Sequence, residues 1–211
     1  MKKTELLKSI EANLSFNFAS LILVYGSLRT RLHNHSLLNS TSVLGPLKYD
    51  IEKDRQPFLD YINKNSQFIT SKMGSYRLGN EYLTDPEYTM YSLGGYPGIM
   101  EGGTTPIVYE IYGVPEYENN RIESTIEMLE GWGGEQYNDP TLPNSNMYNK
   151  KTIMTPFGEG TIYIYNASQA PRTTIVESGD WVEFLRERAA KRQVVTTSQR
   201  KAELKDLKMT L

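Results

Sequence analysis

The sequence predicts a single α+β domain built on a largely antiparallel sheet. Three observations carry the prediction. Strand-like runs outnumber helical ones; the spacers between several of them are shorter than the roughly dozen residues a parallel crossover needs; and a chain of 211 residues is long enough to bury one sizeable core.

Taken in order, residues 1–15 place Leu6, Leu7, Ile10 and Leu14 at helical spacing, an amphipathic helix able to pack on the domain or on a partner. Phe16 to Tyr25 is dense in apolar and aromatic residues and stops at Gly26-Ser27, the pattern of a buried strand ending in a tight turn. The polar, basic segment Arg29 to Asn34 follows. Residues 40–70 hold Pro46, Pro57 and scattered charges, with one helical stretch at Gln56–Lys64, and read as an irregular insertion. Tyr88, Met90, Tyr91 and Leu93 form a strand running into the turn residues Gly94-Gly95-Tyr96-Pro97-Gly98. Ile107 to Val114 is a second strong strand, ended by Pro115.

Asn119 or Asn120 is placed to cap a helix with Ile122, Ile126 and Leu129 on one face, and Gly131 supplies its C-terminal stop. Tyr148 to Thr155 and Thr161 to Tyr165 read as a strand pair joined through Pro156 to Gly160. Asp180 to Arg192 is a helix whose inner side carries Trp181, Phe184, Leu185 and Arg188, and residues 193–211 read as a polar tail.

Composition narrows the function. Lys plus Arg number 23 against 25 Asp plus Glu, so no global field gathers nucleic acid or draws the chain to an anionic membrane. The absence of cysteine excludes disulfides, thiolate catalysis and cysteine-ligated metals. His33 and His35, the two histidines, have no companion ligands in the sequence, so no metal site is expected. The 15 tyrosines sit mainly in strand-like runs without a basic patch and read as core and pocket lining rather than base-stacking platforms. The longest apolar stretch, Ala19 to Tyr25, is interrupted by Ser20 and far short of the ~20 residues of a membrane span. Glu5 and Lys8 stand where a secretory signal needs an apolar run. The expectation is a soluble, cytoplasmic protein.

Three features carry possible chemistry. A strand ending at Tyr25-Gly26-Ser27-Leu28 frees backbone N–H groups, and the glycine lets an oxygen-rich ligand approach them, although a Gly-Ser turn alone is commonly structural. Glu130, at about 100° per residue, lies beside Ile126 at the edge of the apolar stripe, unlike Glu127. Partial desolvation and the helix C-terminus both push its pKa upward, toward proton transfer near neutrality; the alternative is a solvated terminal glutamate. Tyr91 to Gly98 offers glycines and aromatics for one pocket wall, or simple turn chemistry.

In combination these features resemble a family. Tyr-Gly-Ser-Leu after an apolar strand, then Gly-Gly-Tyr-Pro-Gly-Ile, Val-Tyr-Glu-Ile, a helix ending Met128-Leu129-Glu130-Gly131, Tyr148 with its strand, Tyr163-Ile164-Tyr165 and Ser178-Gly179-Asp180-Trp181 are similar to the γ-glutamylcyclotransferases in the broad sense, which include the γ-glutamylamine cyclotransferases and AIG2-like proteins. The resemblance covers roughly residues 20–35 and 87–185; residues 35–86 are longer than the family pattern, and Gly133 to Asn146 is a loop-rich departure. Ser42-Val43-Leu44-Gly45 and Gln67-Phe68-Ile69-Thr70 both remain candidates for continuing the pattern.

The resemblance implies a small mixed, largely antiparallel β-barrel with flanking helices, and a cofactor-independent cyclisation of a γ-glutamyl group to 5-oxoproline. Glu130 would be its general acid/base, Gly26, Ser27 and Leu28 would hold the substrate, and Tyr25 and Tyr96 would be walls. The expected organisation is an N-terminal helical extension at 1–18, the domain at 19–192 with its insertion near 35–86, and a tail at 193–211. The expected partner is a small γ-glutamyl substrate, with self-association or a protein partner through the terminal helices open. The alternative is a non-catalytic member of the fold that binds a metabolite or a protein.

Overall fold

The computed structural model describes residues 18–38, 41–42, 74–78, 81–139, 141–142, 144–166 and 174–193. The helices expected at residues 1–15 and at Gln56–Lys64, the candidate continuations at 43–45 and 67–70 and the expected tail beyond residue 193 lie outside these residues.

Leu21, Ile22, Leu23 and Val24 are consecutive apolar residues, the pattern of a strand covered on both faces. They form β1 (Ser20–Val24), the centre of the larger sheet, antiparallel to β7 (Val108–Val114) and parallel to β9 (Gly158–Tyr165). Beyond β7 lie β3 (Tyr76–Arg77) and β2 (Thr41–Ser42), while β4 (Tyr82–Leu83) pairs the start of β7. Beyond β9 lies β8 (Tyr148–Thr155). A smaller sheet has the order β10 (Thr174–Ile175), β5 (Tyr88–Ser92), β6 (Pro97–Glu101). Apart from β1–β9 and β2–β3, the pairings are antiparallel.

The α+β class is therefore present, but among the described residues the sheet does not close into a barrel. β2 and β8 end the larger sheet on opposite sides, and β6 of the smaller sheet approaches β9. Gly98 of β6 makes that approach possible, because a Cβ there would lie 2.8 Å from the Tyr165 Cβ of β9.

Side-chain alternation divides the core. Leu21 and Leu23 join Tyr109 and Ile111 on one side, whereas Ile22 and Val24 join Tyr112 and Val114 on the other. The second side receives α1 (Glu116–Glu130), whose Ile122 and Ile126 are buried there. Each such side chain, fully buried, contributes about 1.5–3 kcal/mol.

Four local expectations are corrected. The helix starts at Glu116 after Pro115, not at Asn119 or Asn120: the fixed φ of Pro115, −72°, suits entry to a helix, and Glu116 and Glu118 complement its dipole. Asn119 instead accepts a hydrogen bond from Ser20 Oγ at 2.7 Å. Pro97 and Gly98 belong to β6 rather than to the turn, which closes with Leu93 N–H donating to Tyr96 O at 2.9 Å. The β8–β9 connection is only Pro156-Phe157, with Gly158 to Gly160 already in β9. In α2 (residues 181–193), Arg188 is exposed, not inward, while Trp181 is buried and stacks on Phe184 at 5.1 Å.

No helix among the described residues is long and apolar enough to cross a membrane.

Candidate active site

On the α1 side of β1 lies a cavity of about 190 Å³. Ile22, Leu23 and Val24 of β1 form its floor, and the chain then turns through Tyr25, Gly26, Ser27 and Leu28, which all line it. Ile126, Leu129 and Glu130 reach it from α1, Tyr96 and Pro97 from the β5–β6 hairpin, Met147 and Tyr148 from the entry to β8, and Tyr163 from β9. All six site residues expected from the sequence thus border one space.

Glu130 arrives there through helix geometry. Ile122 and Ile126 fix the buried face of α1, and Glu130 is one turn beyond Ile126. Gly131 ends the helix in the left-handed conformation at φ 62°, and its N–H bonds back to Met128 O. Glu127, by contrast, is held on the outside by Lys150, which also bonds Glu123 at 2.9 Å. The Glu130 carboxyl has no hydrogen-bond or ion-pair partner among the described residues, and removal from water raises its pKa from 4.5 to about 7.

The tyrosines around it are already engaged. Tyr25 Oη donates to Tyr163 O at 2.8 Å, and Tyr148 Oη donates to Pro97 O at 2.7 Å. Burial first, and then the negative Glu130, push the Tyr25 pKa well up; burial leads the rise at Tyr148 too. Both rings are therefore fixed neutral walls rather than proton donors to a ligand. Tyr96 is 42 % exposed and forms the rim.

The loop itself is a tight turn, with Arg29 N–H donating to Gly26 O at 3.0 Å. The N–H groups of Gly26, Ser27 and Leu28 have no acceptor among the described residues, which leaves them available to an anionic or carbonyl oxygen. Gly26 is required sterically, since a Cβ would lie 2.9 Å from Pro97 Cγ. Among the described residues, no lysine or arginine lines the cavity and no cluster of three potential metal ligands occurs.

Sequence reasoning missed His33 and Asn34, which also border the cavity. Asn34 Nδ2 donates to Ser27 Oγ at 2.9 Å, a contact whose only signal in the sequence is a polar residue soon after the turn. Sequence reasoning also passed over Arg29 and Glu110, a buried pair behind the loop.

A family model described as "Gamma-glutamyl cyclotransferase, AIG2-like" matches residues 22–183. A Vibrio cholerae protein called "Putative gamma-glutamylcyclotransferase" is 28% identical over 77% of this chain and 96% of its own length. A Citrobacter rodentium protein called "Gamma-glutamylcyclotransferase family protein ytfP" is 30% identical over 56% of this chain and 84% of its own. The solution structure of protein ytfP from Escherichia coli is similar over 76% of this chain and 95% of that chain, with 25% identity and a TM-score of 0.40.

Proposed function

Because the chain belongs to the gamma-glutamyl cyclotransferase, AIG2-like family, we propose that it converts a γ-glutamyl amide into 5-oxoproline and a free amine, with Glu130 moving the proton. The observation that carries this reading is the Glu130 carboxyl, which has no partner among the described residues and whose pKa burial raises, in the same small cavity as the N–H groups of Gly26 to Leu28, which have no acceptor among those residues.

The steps follow from those groups. Ionised Glu130 takes a proton from the substrate's α-ammonium, and the freed amine attacks the γ-carbonyl carbon of the same glutamyl unit. The carbonyl oxygen becomes an oxyanion, for which backbone N–H groups of the loop are suitable donors in a space closed by apolar and tyrosine walls. When the intermediate collapses, the C–N bond to the leaving amine breaks as that nitrogen receives the proton from Glu130; the regenerated carboxylate then takes the second proton from the ring nitrogen and passes it to the departing amine, which leaves as an ammonium. No water is consumed. Ring closure is intramolecular, so the principal task of the cavity is to hold the substrate folded.

Incubation of the purified chain with γ-glutamyl amines and γ-glutamyl amino acids, followed by mass spectrometry of 5-oxoproline, tests the reading. Wild type should form product and Glu130→Gln should not. Equal, background-level product from both proteins across the panel would remove the proposal.

A further inference from the structure

We propose that Arg29 is a positioning residue that holds the cavity's backbone donors in place through Asp180 and Glu110. The proposal rests on the reading of Gly26 to Leu28 as the substrate-binding wall. Arg29 directly follows that wall and is fully buried. Its Nη1 donates to Asp180 Oδ1 at 2.6 Å, its Nη2 pairs with Glu81, and its Nε lies 3.9 Å from Glu110 Oε1. A guanidinium cannot shed its charge, so a buried one is constrained to stay beside its carboxylates.

The next residue is gripped as well. Thr30 donates to Glu110 Oε2 through both its N–H and its Oγ1, each at 2.9 Å. Glu110 stands opposite Val24 in the β1–β7 register, directly at the end of the central strand, and its carboxylate also accepts from Tyr112 Oη at 2.7 Å and Arg77 Nη2 at 3.0 Å. Arg31 then adopts a positive φ of 71°, a conformation a branched or long side chain takes only where its surroundings dictate it. Residues 29–31 are thus fixed behind the wall, and the Arg29 N–H to Gly26 O bond passes that constraint forward.

Asp180 extends the linkage to α2. The same Oδ1 accepts the Val182 N–H at 2.9 Å and so caps the helix. Further along α2, Arg188 Nη1 donates to Gly94 O at 3.1 Å, at the hairpin tip that leads to Tyr96 and Pro97. One helix is therefore bonded both to the residue that follows the loop and to the hairpin that carries Tyr96 and Pro97.

The test uses Asp180→Asn and Arg29→Lys in the full-length chain. Asparagine keeps a capping oxygen for α2 but removes the charge facing Arg29; lysine keeps the charge but not the fork. Both variants should raise KM for the best γ-glutamyl substrate by about tenfold or more, the scale on which misplaced binding groups act, with far-ultraviolet circular dichroism unchanged. Amide NMR signals of Gly26 to Thr30 should shift while those of Leu129 to Gly131 stay. An unchanged KM, with rate losses that only follow the folded fraction, would overturn the proposal, as would unmoved loop amides. If the wild type makes no 5-oxoproline, the functional reading fails, and the loop amides alone still decide the positioning role.

Discussion

Asn34 clamps Ser27 twice: its side-chain Nδ2 donates to Ser27 Oγ at 2.9 Å and its backbone N–H donates to Ser27 O at 3.1 Å. The excursion through residues 28–33 is closed by one asparagine, whose main chain binds the carbonyl and whose side chain binds the hydroxyl of a cavity-lining residue.

Asn34→Ala keeps the backbone bond and deletes the other. A neutral hydrogen bond of this kind is worth about 1 kcal/mol, close to fivefold in an equilibrium constant. Steady-state kinetics should show kcat/KM lowered by about that factor, and urea unfolding should show a loss of about 1 kcal/mol.

The acidic limb of the rate profile should belong to Glu130. The proposed base must be ionised, so kcat/KM should fall as pH drops through about 7, where burial sets its pKa. A midpoint near 4.5, the ordinary glutamate value, would mean that Glu130 is solvated or is not the base.

The same shift has a stability consequence of definite sign. A carboxyl whose folded pKa is raised destabilises the fold when ionised: the penalty is absent below pH 4.5, grows between 4.5 and about 7, and is complete above. Glu130→Gln should therefore be the more stable protein at pH 8, by up to about 3 kcal/mol, and indistinguishable from wild type at pH 4. Paired urea titrations at the two pH values check this. Higher stability combined with lost activity would mark Glu130 as a group the fold tolerates rather than needs.

Gly131→Ala should cost about 1–2 kcal/mol, because a side chain at φ 62° is strained. The added Cβ would also lie 3.1 Å from the Met147 Cβ, on a residue that lines the cavity. Thermal unfolding measures the first effect, and an altered order of preference among γ-glutamyl amines measures the second.

What the sequence disclosed and what it hid follow from range. Glu130 was legible because its placement is local: Ile122 and Ile126 fix the helix face and Gly131 fixes its end, all within one element. The strand β7 announced itself as a run of β-branched and aromatic residues. Pro115 was read as a strand stop when it is also the helix start, since the same fixed φ serves both ends. β6 was concealed because Pro97 and Gly98 carry turn chemistry, whereas at the first positions of a strand they are permitted and even required for close sheet packing. Arg29 and Asp180 were silent as a pair because 151 residues separate them. No periodicity or spacing rule joins charges that far apart.

The pairing of β2 with β3 lies at the rim of the larger sheet, two strands away from β1. β2 ends at Ser42 and β3 begins at Tyr76, and β7 stands between them and β1. A substitution that loosens the β2–β3 pairing therefore reaches β1 through the sheet only by way of β7.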